Sequence, residues 1–323
     1  MACFFIGEDC DTAVRIWDGS GWNGLLGLRK LQNRCLMEVD SENRIRMHND
    51  LRDLGRDIGE KEPPHRLWLS TDSLLHNLFD KLSVRGIGMV QKHGSEWPDP
   101  QSFKSLAALP DSRLLTNMSR LQVLKASGNC VESIFSIVHS PQLVCLSPQL
   151  VWLCWHSCPF TSLPSWIPLN KLRVLEIKGI ELETLWPDEH QAPLLLRELI
   201  VDAPLSKIPE SIGHLKNLEK LVLHQNERVE EINLKTFLDE LCHLKSLKCL
   251  VLRKCPNLKL LPDSFVNLTN LEYIDLSGCF NLQKLPKCFW KLQNLQHIDL
   301  SGCMNSTTLP PGLWKSKKPP EIE

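Results

Sequence analysis

From Leu247 to Leu313 apolar and polar positions return in one fixed phase. The stretch divides into LKCLVLRKCPNLKLLPDSFVNLTN, LEYIDLSGCFNLQKLPKCFWKLQN and LQHIDLSGCMNSTTLPPGLWK, with Leu247, Leu271 and Leu295 opening the units 24 residues apart. Within each unit the same columns recur: Leu250, Ile274 and Ile298; Leu252, Leu276 and Leu300; Cys255, Cys279 and Cys303; then the pairs Leu261-Pro262, Leu285-Pro286 and Leu309-Pro310. Apolar residues two apart point to one side of a short strand, and the residues between and beside them point to the other. The cysteine column closes the strand with a small side chain that turns inward. The Leu-Pro step begins the return of the chain, because proline cannot donate to a ladder and holds a turn. No such unit buries its own apolar side, so stability comes from stacking on its neighbours.

This is the leucine-rich repeat pattern, whose period lies at about 20–29 residues. Earlier units open at Leu121, Leu150, Leu172, Leu196 and Leu218. Their spacing is less even, and the wide step before Leu247 predicts a helical return segment at Phe237, Leu238, Leu241 and Leu244. Val84-Arg85-Gly86-Ile87 reads as a first strand, and Phe103, Leu106, Leu109, Leu114, Leu115 and Met118 as core residues of the following return. The expected fold is an α/β leucine-rich repeat solenoid, a horseshoe, over residues 83–314, with a disordered Lys/Pro-rich tail at 315–323.

Residues 1–60 do not repeat. Ala2 to Ile6 is apolar; Asp11 to Trp17 predicts a short helix, broken by Gly19-Ser20-Gly21; Leu25, Leu28 and Leu31 mark a second helix. Cys35–Val39 and Arg44–Met47 read as two strands around the turn Asp40-Ser41-Glu42-Asn43. Asn49 is placed to cap a third helix with Leu51, Leu54 and Ile58 on its apolar face. Helix, helix, hairpin, helix is a winged-helix arrangement. Glu62-Pro63-Pro64 then stops the helix, and residues 61–82 read as a linker with a capping helix at Leu74, Leu75, Leu78 and Leu82.

Net charge is −1, so no global attraction to nucleic acid or an anionic membrane is expected. No run reaches the roughly 18–20 apolar residues of a membrane helix, and Met1 to Ile6 lacks the basic flank of a secretory signal. A cytoplasmic or nuclear protein is expected. Thirteen cysteines without a secretory signal read as reduced thiols rather than a disulfide framework. The cluster Cys154-Trp155-His156-Ser157-Cys158 does not suit a metal, since the register sends Cys154 and Cys158 to opposite sides.

Ala2-Cys3-Phe4-Phe5, Asp18-Gly19-Ser20-Gly21, the hairpin, and Arg46-Met47-His48-Asn49 followed by Leu51-Arg52-Asp53-Leu54-Gly55-Arg56-Asp57-Ile58 resemble the winged-helix part of plant disease-resistance proteins of the TIR-NB-ARC-LRR type. That family carries a Met-His-Asp switch motif here. The resemblance implies Met47, His48 and Asn49 as its counterpart, with His48 toward the β-phosphate of ADP and with Asn49 replacing the acid. The residue-level alternative for His48 is a strand-end polar residue with no ligand. The family's phosphate loop, G-x-x-x-x-G-K-[ST], does not occur in the sequence, so the expectation is a truncated receptor with no cofactor of its own, ADP or ATP belonging to a longer relative.

The register also names the side chains opposite the core. They include Val123, Lys125, Trp152, His156, Glu176, Lys178, Glu198, Asp202, Lys220, His224, Arg253, Tyr273, Asp275, His297 and Asp299. Each is either a solvated strand residue or a contact, and as a mixed polar and aromatic face they suit a protein partner. Asp275 and Asp299 share a column about 5 Å apart, but they recur with the Ile-Asp-Leu-Ser-Gly-Cys repeat and no nucleophile is placed beside them, so catalysis is not expected. The expected function is non-enzymatic recognition, of a pathogen effector, a guarded host protein or an NB-ARC domain, with no nucleic acid or membrane. The alternative is a general repeat scaffold or substrate adaptor. The same register expects Leu276→Ala to destabilise by roughly 2–5 kcal/mol and Asp275→Ala to matter little.

Overall fold

The structure is a computed structural model, and it describes residues 2–61, 68–70, 86–89, 120–127, 147–158, 160–165, 167–179, 182–186, 192–224, 231–303 and 321–322. The chain forms two compact units, Met1–His156 with Trp166–Val174, and Ser157–Ser165 with Leu175–Glu323.

In the first unit a 3-10 turn at Ala2–Phe5 leads into α1 (Cys10–Gly19) and α2 (Gly24–Asn33). Asp9 caps α1 by accepting the Thr12 N–H at 2.9 Å, and Asn23 caps α2 by accepting the Leu26 N–H at 3.0 Å. Each cap satisfies an amide that the first helical turn leaves unpaired. β1 (Glu38–Val39) and β2 (Ile45–Arg46) pair antiparallel, shorter than their apolar pattern predicts. The turn between them is built on Asp40, whose carboxylate accepts the Glu42 and Arg44 amides and the Arg46 Nε. α3 (Asn49–Lys61) follows. Helix, helix, hairpin, helix is therefore present, with two corrections to the expected faces. Leu25 of α2 and Leu54 and Ile58 of α3 are exposed, because their helices meet the core along a narrower stripe, at Leu28 and around Gly55. The α3 cap is His48 rather than Asn49: the His48 carbonyl accepts the Arg52 N–H at 2.9 Å and its Nδ1 accepts the Asp50 N–H at 3.3 Å.

The same unit holds β3 (Trp68–Ser70), β4 (Gly86–Met89), β5 (Val123–Ser127) and β6 (Trp152–Cys158), paired in parallel in that order. The sheet thus begins at Trp68, inside the stretch expected as linker, where Trp68-Leu69-Ser70 gives β4 a partner instead of leaving an open edge. The expected capping helix at Leu74–Leu82, the core residues at 103–118 and the linker prolines lie outside the described residues.

The second unit carries β7 (Val174–Gly179) beyond its first residue, β8 (Glu198–Asp202), β9 (Lys220–His224), β10 (Cys249–Leu252), β11 (Tyr273–Asp275), β12 (His297–Asp299) and β13 (Glu321–Ile322), neighbours in sequence being neighbours in the sheet. The parallel register keeps Leu199, Leu221, Leu250, Ile274 and Ile298 in one column, all fully buried. Cysteine closes the strand as expected: the Cys279 thiol donates to the Leu252 carbonyl at 3.2 Å and the Cys303 thiol to the Leu276 carbonyl at 3.1 Å, each reaching one coil back. Gly278 and Gly302 take φ +74° in the turn before it, a conformation glycine adopts without steric cost. On the return side Phe265 stacks on Phe289 at 6.0 Å, and α4 (Glu231–Leu241) buries Leu234, Phe237, Leu238 and Leu241. A second ladder was not foreseen: the asparagine before a strand-opening leucine donates to the previous coil, Asn217 to the Leu194 carbonyl, Asn270 to that of Lys245 and Asn294 to that of Thr269, at 2.8–2.9 Å. β13 lies in the expected disordered tail, where it pairs in parallel with β12, Ile322 in register with Ile298.

Candidate partner-binding face

The strand side opposite the leucine core begins, in the first unit, with apolar residues. Val123, Trp152, Cys154 and Val174 are buried in one cluster with Phe5, Cys10, Ala13, Ile16, Trp17, Met37 and Ile45. The Phe5 ring stacks on the Trp152 indole at 5.4 Å, inclined by 24°, and meets Trp17 edge-on at 5.5 Å. Lys125 pairs with Glu8 and lies 5.8 Å from the Trp152 ring centre, and Gln122 Nε2 donates to the Ser20 carbonyl at 3.4 Å. Gly19 fits this contact closely: a Cβ there would stand 2.6 Å from Val151 Cγ1 and 3.0 Å from Arg173 Cγ. The winged helix thus occupies the first coils' strand face. Trp152, expected as a partner contact, is fully buried beneath the chain's own N-terminal domain. His156 is half-buried, with Nε2 3.4 Å from Cys154 Sγ, and the Cys158 side chain lies outside the described residues.

In the second unit the corresponding positions are polar. Register places Glu198, Lys220, Cys249, Tyr273 and His297 in one row across β8 to β12. Tyr273 and His297 stack with rings 4.8 Å apart and 7° from parallel. Beyond them, Arg253 Nε donates to Asp275 Oδ2 at 2.7 Å, and its Nη2 lies 2.5 Å from the same oxygen. Asp275 is fully buried and its Oδ1 accepts the Ser277 N–H at 2.9 Å; Asp299 Oδ1 accepts the Ser301 N–H at 2.8 Å. The carboxylate pair is therefore a turn-building column, which corrects the expectation that Asp275 matters little to the fold. Burial pulls the Asp275 carboxyl upward, but the Arg253 guanidinium and the Ser277 amide outweigh it and hold the group below the usual carboxylate range.

Glu198 is likewise buried, with Lys220 Nζ 3.9 Å away, and Lys178 Nζ lies 3.0 Å from Glu176. His224 Nδ1 is 3.7 Å from Asp202; burial lowers the histidine's pKa, against the pull of Asp202, and keeps the ring neutral near pH 7. Burial raises the Tyr273 hydroxyl, with Asp275 adding to it, and pushes the Cys249 thiol up to about 11. The face at neutral pH holds no thiolate or phenolate nucleophile at these two positions.

The switch-motif residues lie apart from this row, in the winged helix. Met47 is half-buried with its sulfur 3.7 Å from Cys3, Asn49 is exposed at the first turn of α3, and the His48 ring is largely exposed with Nδ1 on the Asp50 amide.

Residues 1–62 match the winged-helix domain described as Disease resistance protein Roq1-like, and residues 245–304 and 294–316 match leucine-rich repeat families. The chain is related to plant disease-resistance proteins. It is 27% identical to Disease resistance protein RPP5 of Arabidopsis thaliana over 77% of this chain and 16% of that protein, and 27% identical to TMV resistance protein N of Nicotiana glutinosa over 72% and 19%. It therefore spans less than a fifth of the length of these relatives. Among solved structures, the leucine-rich repeat domain of the type III effector XopL is 23% identical with a TM-score of 0.50, covering 95% of this chain and 88% of that one, which shows the repeat fold. Among the described residues no helix is long and apolar enough to cross a membrane.

Proposed function

We propose that this chain is the recognition part of a plant immune receptor and binds protein through the strand face of β8 to β12. The observation that carries the reading is the difference between the two units at the corresponding repeat positions. Where the face is apolar, at Val123, Trp152 and Val174, the winged helix covers it; from Lys220 to His297 it carries half-exposed polar and aromatic side chains. Tyrosine and arginine, here Tyr273 and Arg253, are residue types that dominate protein interfaces. The relatives named above are resistance proteins, and the partner is accordingly a pathogen effector, a guarded host protein or an NB-ARC domain, met in the cytoplasm or nucleus.

The reading is non-enzymatic, because Asp275 and Asp299 are committed to turns. Nucleotide switching belongs to a longer product. His48 spends Nδ1 on capping α3, and one ring nitrogen beside a helix start is too little for tight nucleotide binding without a phosphate loop. The test is co-purification with plant and pathogen proteins, comparing the natural chain with a variant carrying Tyr273→Ala and His297→Ala and with Trp290→Ala on the return side. A partner lost from the first variant and kept by the second is the expected result. Equal recovery by all three would contradict the reading.

A further inference from the structure

On the strand face of the second unit each lysine and arginine is already matched. Lys178 Nζ lies 3.0 Å from Glu176, Lys220 Nζ 3.9 Å from Glu198, and Arg253 Nε 2.7 Å from Asp275. Two carboxylates remain, Asp202 and Asp299. Asp202 faces His224, whose ring is neutral near pH 7 and does not cancel the charge. Asp299 is half-buried, spends Oδ1 on the Ser301 amide at 2.8 Å, and among the described residues has no lysine, arginine or histidine nitrogen within 4.0 Å. The Arg253 guanidinium feels Asp275 first and Asp299 second, so at this corner one cation faces two carboxylates. By register the Cα atoms of Lys220 and Lys254 lie about 14–16 Å from that of Asp299. Charges more than about 8 Å apart are largely screened at physiological salt. One negative charge is therefore left over at the β11–β12 end.

Beside that charge lies an aromatic pair. His297 precedes Asp299 by two residues on the same side of β12, about 7 Å away. The His297 ring stacks on Tyr273 at 4.8 Å and 7° from parallel, and both residues are half-buried. Burial is the main cause that raises the Tyr273 hydroxyl's pKa, and the charges of Asp275 and Asp299 add to it, which puts the Asp299 carboxylate within electrostatic reach of the phenol.

Resting on the protein-binding reading, we propose that the β11–β12 end of the face takes an arginine side chain of the partner, its guanidinium lying against the Tyr273–His297 pair and donating to Asp299 Oδ2. A guanidinium is planar, is attracted to aromatic faces and hydrogen-bonds carboxylates through a fixed fork of N–H groups, so one side chain meets both features. A lysine ammonium gains the charge pair without the stacking. A partner carboxylate or a nucleic-acid phosphate meets Asp299 with no cation left to receive it, since Arg253 is engaged by Asp275 through Nε and Nη2.

The experiment is selection from a random peptide display library on the immobilised full chain, with affinities of enriched peptides then measured at low and high salt. It is repeated on Asp299→Asn, which keeps an oxygen for the Ser301 amide and removes the charge, and on Tyr273→Ala. Thermal unfolding checks that each variant is folded. Enriched peptides that share an arginine are expected, with affinity reduced about tenfold by either substitution, since a hydrogen bond to a charged group is of that order, and weakened by salt. Arginine peptides that survive either substitution unchanged would overturn the proposal. Enriched peptides without arginine, lost on Tyr273→Ala and kept by Asp299→Asn, would sink the arginine assignment and leave the protein-binding reading standing. Absence of enrichment, or enrichment that neither substitution alters, would sink both. A single-stranded oligothymidylate is measured alongside, and binding lost on Tyr273→Ala would assign the aromatic pair to a nucleic-acid base instead.

Discussion

Asp275→Ala separates a structural carboxylate from a surface one. In the natural chain Asp275 is fully buried and accepts from Arg253 and from the Ser277 amide, whereas Asp299, one coil on, is half-buried and accepts from the Ser301 amide. A hydrogen bond to a charged group is worth about 1.5–3 kcal/mol. The Arg253 side is discounted because that guanidinium is substantially exposed and regains water when its partner is removed. Asp275→Ala is therefore expected to cost about 2 kcal/mol and Asp299→Ala about 1 kcal/mol. Leu276→Ala, which empties a fully buried position, is expected to cost about 2–5 kcal/mol. The assay is urea unfolding of the full chain, comparing midpoints at unchanged slope. The Asp275 carboxyl lies below its ordinary value in the folded chain, so its contribution is complete above the unfolded pKa of about 3.9 and disappears as pH falls through the lower folded one. The gap between the natural chain and Asp275→Ala is thus expected to close at the acid end. An Asp275→Ala cost no greater than that of Asp299→Ala, or a gap unchanged in acid, would refute the reasoning.

Gly19→Val is expected to lower stability by about 1–3 kcal/mol through overpacking, since its Cβ would stand 2.6 Å from Val151 Cγ1; a thermal scan with an unchanged midpoint would show that the winged helix does not press on the first coils. Brief alkylation of the native chain at mildly alkaline pH, followed by peptide mapping, should label exposed Cys35 well ahead of buried Cys10, Cys242, Cys255 and Cys279 and of Cys249, whose thiol lies at about 11. Equal labelling would mean that the repeat core opens readily.

Much of the fold was legible because a repeat writes each inward position several times. The column from Leu250 to Ile298 and the helical return at Phe237 to Leu241 both follow from spacing alone. Alternation tells on which side of a strand a residue lies, but not what covers that side. Alternation therefore makes Trp152 look like a contact for another protein, although it holds Phe5 of its own chain. A signal was present: Val123, Trp152 and Val174 are apolar where Glu198, Lys220, Tyr273 and His297 are polar. The role of Asp275 is hidden in the sequence for a related reason. Its recurrence looked like a surface column, whereas a carboxylate two residues before an amide can build a turn and be buried by it. β3 and β13 escaped notice because two or three residues carry no period, and their pairing is set by the neighbouring coil.

The central claim is that the strand face of the first unit is closed by the chain itself at β5 and β6, and that of the second unit is open to a partner protein at β11 and β12. It is tested most directly by placing a photo-crosslinking amino acid at Trp152 in one chain and at Tyr273 in another, irradiating plant tissue that expresses each, and mapping the linked peptides. The account predicts links from position 152 to the segment around Phe5 of the same chain, and links from position 273 to other proteins. Links to other proteins from position 152, with none from position 273, would contradict it.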